Sequence, residues 1–294
     1  MSHAEPAYRG RFAPSPTGPL HMGSLIAALA SYLDARHQHG QWLVRMEDID
    51  PPRESPGAAS AILASLVRHG LVADGDIMFQ HTRSQAYDGA IAQLASEGLL
   101  FNCQCTRQML GPNGACAGRC DGSPPADGRP SAHRVRVSAS TNVGFDDLVQ
   151  GPRQCNLVRD LPDFTVRRKD SLYAYQLAVA VDDLAQGITH VIRGSDLLES
   201  TPRQIYLMHC LGSEAPIYGH IPVITGSDGQ KLSKQTHAAP LDDLRAEENL
   251  RAALMFLHQP TPPESLTSTS AILAYAIEHW SMALIPRVMK LPSR

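Results

Sequence analysis

The chain has 294 residues, 43% hydrophobic and 19% charged, which suits a water-exposed globular protein with a core of its own. Its 26 Lys and Arg against 29 Asp and Glu leave a net charge of −3, so it is no bulk polycation, and nucleic-acid contact would need a local basic patch. No apolar run approaches the roughly 18 residues of a membrane span, and the N-terminus lacks the basic and apolar regions of a signal peptide. A cytoplasmic protein without a membrane partner is therefore expected.

Taken in order, residues 1–6 read as a disordered tail. A strand over 8–13 breaks across Pro14, Pro16, Gly18 and Pro19, since a strand cannot continue through Pro and Gly at that density. A helix over 24–38 follows, with Leu25, Ala28, Leu29, Tyr32 and Leu33 at helical spacing and Gly40 as a stop. His21 and Gly23 stand at its mouth, where free backbone N–H groups and the helix dipole favour phosphate. A strand over 42–46 completes a βαβ start and favours a parallel sheet. A helix over 55–69, a short strand over 77–80 and a helix over 85–97 capped by Ser84 continue the alternation.

The stretch 103–130 differs, being rich in Gly, Pro and Cys with little apolar periodicity. Cys103 and Cys105 form one close pair and Cys116 and Cys120 another, with ten residues between. Four thiolates suit a closed, structural Zn²⁺ site, and a reducing compartment disfavours disulfides. Unrelated surface thiols or a redox pair are the competing explanations. Cys155 and Cys210 fall outside the pattern and read as ordinary buried thiols.

Strands are expected over 133–137, 164–168 and 189–193, with loops around the first two. A helix over 201–211 has Pro202 in its first turn. A strand over 217–224 then precedes a Gly226–Gly229 turn and the motif Lys231-Leu-Ser-Lys-Gln235. Two helices, over 241–257 and 269–285, are separated by Pro260, Pro262 and Pro263. The whole reads as an α/β, Rossmann-type parallel-sheet nucleotide-binding fold. Its expected parts are 7–102 and 131–240 as two halves of a catalytic domain, a zinc-bearing insert over 103–130, and a helical C-terminal region over 241–294.

Residues 14–24, PSPTGPLHMGS, resemble the HIGH signature of class I aminoacyl-tRNA synthetases in its glutamyl form, and Lys231 to Gln235 resembles the matching KMSKS loop. The similarity runs from about residue 8 to about 245. Two departures stand out: Ser24 replaces the second His of the first motif, and Gln235 replaces the last Ser of the second. The resemblance implies ATP with Mg²⁺ as co-substrate and L-glutamate as the amino acid. It also implies a small zinc insert whose third ligand is Tyr in some members and Cys116 here. It places Arg11, Phe12, Ala13, Pro14, Ser15, Glu47, Tyr175 and Arg193 at the glutamate.

Amino-acid activation is attack of a carboxylate on the α-phosphorus of ATP, which needs positioning and charge neutralisation more than covalent help. His21, Gly23 and Ser24 suit the ATP phosphates. Lys234 suits the charge on the leaving pyrophosphate, with Lys231 assisting and Ser233 among the ATP-binding residues, and Gly226 and Gly229 would let the loop close over ATP. Taken alone, the two lysines read as a solvated turn. Glutamate wants cations for its carboxylates and an anion for its ammonium. Arg11 and Arg193 at strand ends, and Glu47, meet that need, with Tyr175 and Ser15 as hydrogen-bonding candidates. Asp48 and Asp50 read as alternative partners that fix Arg45.

An anticodon-binding domain after the two C-terminal helices would need on the order of 100–150 further residues, and none is expected. The resemblance is to the shortened paralogues, and it implies queuosine at the wobble position of tRNA(Asp) as the acceptor; a free-standing catalytic core is expected to activate glutamate without RNA, and a monomer is expected. Three alternatives stay open: a truncated conventional glutamyl-tRNA synthetase charging a 3′ end, an adenylyltransferase making a small metabolite, and a zinc-stabilised RNA-binding module without catalysis.

Overall fold

Alternating strands and helices fold into parallel sheets. The computed structural model describes residues 7–116, 118, 120, 122–123, 128–137, 141–226 and 239–292. β1 (Arg9–Phe12) leads into α1 (Met22–His37), and the chain returns in β2 (Gln41–Met46), α2 (Ala58–Arg68), β3 (Met78–Phe79) and α3 (Ser84–Ser96). Next come β4 (Leu100–Cys103), β5 (Ala132–Val135), β6 (Asn142–Asp147), β7 (Gly151–Asn156), the single turn α4 (Leu157–Asp160) and β8 (Phe164–Arg167). The chain then runs through α5 (Tyr175–Ala185), β9 (His190–Gly194), α6 (Thr201–Cys210), β10 (Ile217–Ile221) and β11 (Val223–Thr225). It continues with α7 (Ala246–Phe256), α8 (Thr269–Glu278) and β12 (Lys290–Pro292).

β1, β2 and β3 pair in parallel, as do β9, β10 and β6, with β7 antiparallel at the edge of the second set. The two sets meet where Thr189 N donates to Arg9 O at 2.9 Å, which puts β1 beside β9. The connection runs to opposite sides from this junction, so a crevice opens beyond the carboxyl ends of β1 and β9. Open α/β sheets bind ligands in such a crevice. β4, β5 and β8 form a separate antiparallel sheet. This is the Rossmann-like arrangement expected.

α1 is buried on nearly all sides, with Leu25, Ala28, Leu29 and Leu33 wholly hidden. Trp42, Val44 and Met46 of β2 share its core, and so do Leu250 and Leu254 of α7 and Ile272 and Leu273 of α8. The helix is thus a layer between the sheet and the C-terminal helices. Two polar side chains are buried in it: Ser31 Oγ accepts from Trp42 Nε1 at 2.9 Å, and Asp34 accepts from Tyr8 Oη at 2.5 Å and from Trp280 Nε1 at 2.9 Å, which offsets their burial.

Several elements differ from expectation. α1 begins at Met22, not at residue 24, because the His21 side chain caps it by accepting from Ser24 N. Ser84 is the first residue of α3 and makes no cap; the 3-10 turn Gln80–Arg83 feeds the helix directly. The expected strand over 217–224 is two strands, since Pro222 has no N–H to continue the ladder and β11 pairs instead with β12. The 142–156 region is the β6–β7 hairpin, not loop. α7 starts only at Ala246, and α8 stops at Glu278 with a 3-10 turn after it. Cys155 and Cys210 are half-buried, not enclosed. Gly229 and the motif at 231–235 lie outside the described residues.

Because Leu29 has no room to collapse between sheet and helices, Leu29→Ala is expected to cost about 2–5 kcal/mol, read as a lower urea midpoint at unchanged slope.

Candidate active site and metal centre

The strand ends carry their polar residues into one cavity of ≈ 460 Å³. Arg11 and Phe12 close β1 and Ala13 to Ser15 follow it, His21, Gly23 and Ser24 open α1, and Glu47 comes directly after β2. Tyr175 begins α5, and Arg193 and Gly194 end β9. Every described residue expected to touch amino acid or nucleotide therefore lines the same space. Lys231, Ser233 and Lys234 lie outside the described residues.

At the helix mouth, His21 Nδ1 accepts from Ser24 N at 3.3 Å, which leaves the proton of a neutral imidazole on Nε2, 3.2 Å from Ser24 Oγ. The imidazole thus satisfies one helix donor and presents an N–H beside the others. Gly23 is needed for closeness: a Cβ there would stand 3.1 Å from His21 Cε1 and 3.2 Å from Ile224 Cγ2. Any side chain would have to push apart the imidazole and the β11 wall.

Deeper in, Asp183 of α5 organises the charges. Arg11 donates to its two oxygens through Nε and Nη2, both at 3.3 Å, and Arg45 Nη1 lies 2.7 Å from Oδ1. Arg45 Nη1 also donates to Gln186 Oε1 at 2.7 Å, and its Nη2 stands 3.6 Å from Glu47 Oε1. Burial pushes Asp183 up, but Arg11 and Arg45 together hold it below the usual carboxylate range. Glu47 goes the other way, because burial outweighs the pull of Arg45 and Arg11 and lifts it to about 6. Burial, with Glu47 nearby, also raises the Tyr175 hydroxyl. Asp48 and Asp50 do not fix Arg45. Asp48 accepts from His81 N at 2.9 Å, and Asp50 pairs with Arg53 and Arg168.

Arg193 is held differently. Its Nε donates to His220 Nε2 at 3.1 Å and its Nη2 to Thr201 Oγ1 at 2.8 Å, while Nη1 is buried with no hydrogen-bond partner. A buried guanidinium nitrogen in that state asks for an anionic ligand. Three arginines against the two carboxylates of Asp183 and Glu47 leave the region net positive, which suits a ligand with more negative than positive charge.

Asp183, His220 and Thr201, which hold the cavity's arginines, are the positions that sequence reading missed. Asp183 had one faint signal, an acidic doublet, Asp182-Asp183, closing an otherwise apolar run from Leu177.

The four expected metal ligands also come together. Cys103, Cys105, Cys116 and Cys120 place their sulfurs within 4.8 Å of one another. Cys105 Sγ lies 3.7 Å from the sulfurs of Cys116 and Cys120, and Cys120 lies 3.9 Å from Cys103. A tetrahedron of zinc–sulfur bonds has edges of about 3.8 Å, so the set fits that ion. Burial pushes the Cys103 thiol up to about 12, and such sulfurs ionise together only when a cation compensates them. Arg134 of β5 ties the cluster to the antiparallel sheet by donating to Asp163 Oδ2 at 2.7 Å, and Asp163 accepts from Cys116 N at 3.2 Å.

The family model for the catalytic domain of class I tRNA synthetases (E and Q) matches residues 7–113 and 123–259. This chain belongs to that family. The class I membership makes it a ligase of the aminoacyl-tRNA synthetase type, and accounts for the Rossmann-like sheet. A glutamyl-Q tRNA(Asp) synthetase of Neisseria meningitidis serogroup C is 47% identical over 290 residues, covering 95% of this chain and 98% of that protein. One from Thiobacillus denitrificans is 49% identical over 290 residues, 94% of each chain. Among solved structures, a glutamate tRNA ligase from Elizabethkingia meningosepticum, crystallised with its amino acid, superposes with a TM-score of 0.83 at 23% identity. That match covers 98% of this chain and 67% of the ligase, and it shows the shared class I fold. No helix among the described residues is long and apolar enough to cross a membrane.

Replacing one sulfur tests the metal centre. Cys116→Ser should weaken zinc binding by at least about tenfold, since a thiolate is exchanged for a poor ligand in a closed site. Competition against a chromogenic chelator reads the change; undiminished affinity would place the fourth ligand elsewhere.

Proposed function

We propose that the protein uses ATP with Mg²⁺ to convert L-glutamate into glutamyl-adenylate without RNA, and then passes the glutamyl group to queuosine at the wobble position of tRNA(Asp). The observation that carries this reading is the single cavity that gathers Arg11, Glu47, Tyr175 and Arg193 beside the mouth of α1. The relatives named glutamyl-Q tRNA(Asp) synthetase, similar over nearly their full length, support the acceptor.

In this reading the amino acid occupies the strand ends. Arg193 Nη1 takes a carboxylate, Arg11 contributes the guanidinium edge that Asp183 leaves over, and Glu47 takes the ammonium. Phe12, Ala13 and Pro14 shape the wall beneath it, with Ser15 and Tyr175 supplying hydroxyls. The nucleotide lies toward α1, where the N–H groups around Gly23 and Ser24 and the His21 imidazole face its phosphates. Lys231 and Lys234, with Ser233 between them, close on the departing pyrophosphate and neutralise its growing charge. The carboxylate oxygen attacks the α-phosphorus, the bond to the pyrophosphate oxygen breaks, and the adenylate forms. The residue ranges 7–102 and 131–240 work as the two halves of this catalytic unit, 103–130 as a zinc-held structural insert, and 241–294 as its helical buttress. The enzyme acts as a monomer in the cytoplasm.

Two measurements test the reading. Glutamate-dependent ATP–pyrophosphate exchange should proceed with no RNA present, and labelled glutamate should then enter tRNA(Asp) only when it bears queuosine. Labelling at the 3′ end of tRNA(Glu) would make this a conventional charging enzyme, and absence of exchange would remove the activation step altogether.

A third test concerns pH. Glu47 is protonated below about 6, so it attracts an ammonium only above that value. The KM for glutamate at saturating ATP should fall as pH rises from 5 to 7, roughly tenfold per unit at the acid end of that range. Glu47→Gln should raise KM and flatten the profile; an unchanged profile in that variant would take Glu47 out of the site.

A further inference from the structure

Arg193 differs from the other two arginines of the site in what surrounds it. Arg11 and Arg45 both lean on the carboxylate of Asp183. Among the described residues, the polar partners of Arg193 are all neutral: the His220 imidazole at 3.1 Å, the Thr201 hydroxyl at 2.8 Å and the Leu197 carbonyl at 3.4 Å. The Tyr218 ring lies beneath it, 5.3 Å from Cζ, and fixes its plane.

His220 is wholly buried, and its Nδ1 is 2.5 Å from Asp147 Oδ2. The other oxygen of Asp147 accepts three backbone N–H groups, from Val149 at 3.0 Å, Gln150 at 2.8 Å and His220 at 3.0 Å. The carboxylate therefore cannot turn, and Oδ2 can only accept. Nδ1 must carry the imidazole proton, which leaves Nε2 as the lone pair that receives Arg193 Nε–H. Burial, reinforced by Arg193, lowers His220 to about 4, so the ring stays uncharged at neutral pH although a carboxylate touches it.

We propose that Asp147 and His220 are a positioning pair for Arg193. By presenting a neutral acceptor of fixed tautomer, they hold Arg193 in place without cancelling its charge and leave Nη1 for a substrate carboxylate. That makes them determinants of selectivity for an acidic amino acid, although neither lines the cavity. A carboxylate in the place of His220 would have anchored Arg193 equally well and spent its charge internally. This inference rests on the glutamate reading of the site.

Asp147→Asn is the sharpest test, because it preserves shape. With three N–H groups converging on one oxygen, the asparagine must keep its carbonyl there and turn its NH₂ toward His220. Nδ1 becomes the acceptor, the ring proton moves to Nε2, and two donors then face each other at Arg193. Asp147→Asn and His220→Ala should each raise the KM for glutamate about tenfold or more in the exchange assay, as expected for a misplaced charged hydrogen bond. The KM for ATP should change by less than about twofold, because the helix mouth is untouched. His220→Gln, whose amide can donate to Asp147 and accept from Arg193, should recover most of the loss.

An unchanged glutamate KM in Asp147→Asn, or parallel rises for glutamate and ATP, would overturn the pair's role. Arg193→Ala is measured alongside. If it raises the glutamate KM while Asp147→Asn does not, only the positioning pair falls. If Arg193→Ala itself has no effect, the reading of the pocket falls and the pair's role falls with it.

Discussion

The site depends on a carboxylate that two arginines share. Asp183, fully enclosed at the end of α5, receives Arg11 from β1 and Arg45 from β2. Each charge alone would be expensive to bury, and removing one partner of such a set typically costs about 3–5 kcal/mol. The interaction fixes more than energy. It joins the helix to two neighbouring strands at their carboxyl ends, so the ion pairs themselves help to set the shape of the crevice at the sheet junction. It also settles which cations have charge to offer. Arg45 is absorbed between Asp183 and Glu47, Arg11 is partly absorbed, and Arg193 keeps its charge.

Local chemistry was legible and long-range chemistry was not. Pro14, Pro16, Gly18 and Pro19 can only break a strand, and the spacing of Leu25, Leu29 and Leu33 can only be helical, so the β1–α1 mouth could be read directly. The four cysteines could be read for the same reason, since chelating pairs are local and their sulfurs need only the insert to fold. Resemblance supplied the positions expected at the amino acid, which no local rule gives, and they share a single cavity. By contrast, Asp183 looks like the polar end of a helix until Arg11 and Arg45 are brought to it. His220 sits mid-strand between apolar neighbours, and its role appears only when Asp147 arrives from β6.

The hairpin β6–β7 escaped notice for a related reason. Its residues, such as Asn142, Gly144, Asp146 and Gln154, have weak strand preference, and one face is open to solvent. Cross-strand pairing and the parallel seam with β10 at Tyr218 hold it in place, and both are tertiary facts. Strand 217–224 shows the opposite error. Its apolar run looked continuous, but a missing N–H at Pro222 outweighed the hydrophobic pattern.

That break at Pro222 has an architectural outcome. β11, released from the main sheet, takes Lys290 to Pro292 as its partner, and Val223 N donates to Met289 O at 3.1 Å. Ile224, the wall against Gly23, is therefore braced from behind by a segment more than sixty positions further along the chain. From Gly226 the sequence runs straight on toward the lysine motif. The distal strand thus backs β11 and the wall that Ile224 sets against Gly23. A change at Leu291, far from Gly23 in sequence, would act like shifting a doorpost, moving the Ile224 wall at the helix mouth while leaving Arg11 and Glu47 as they were.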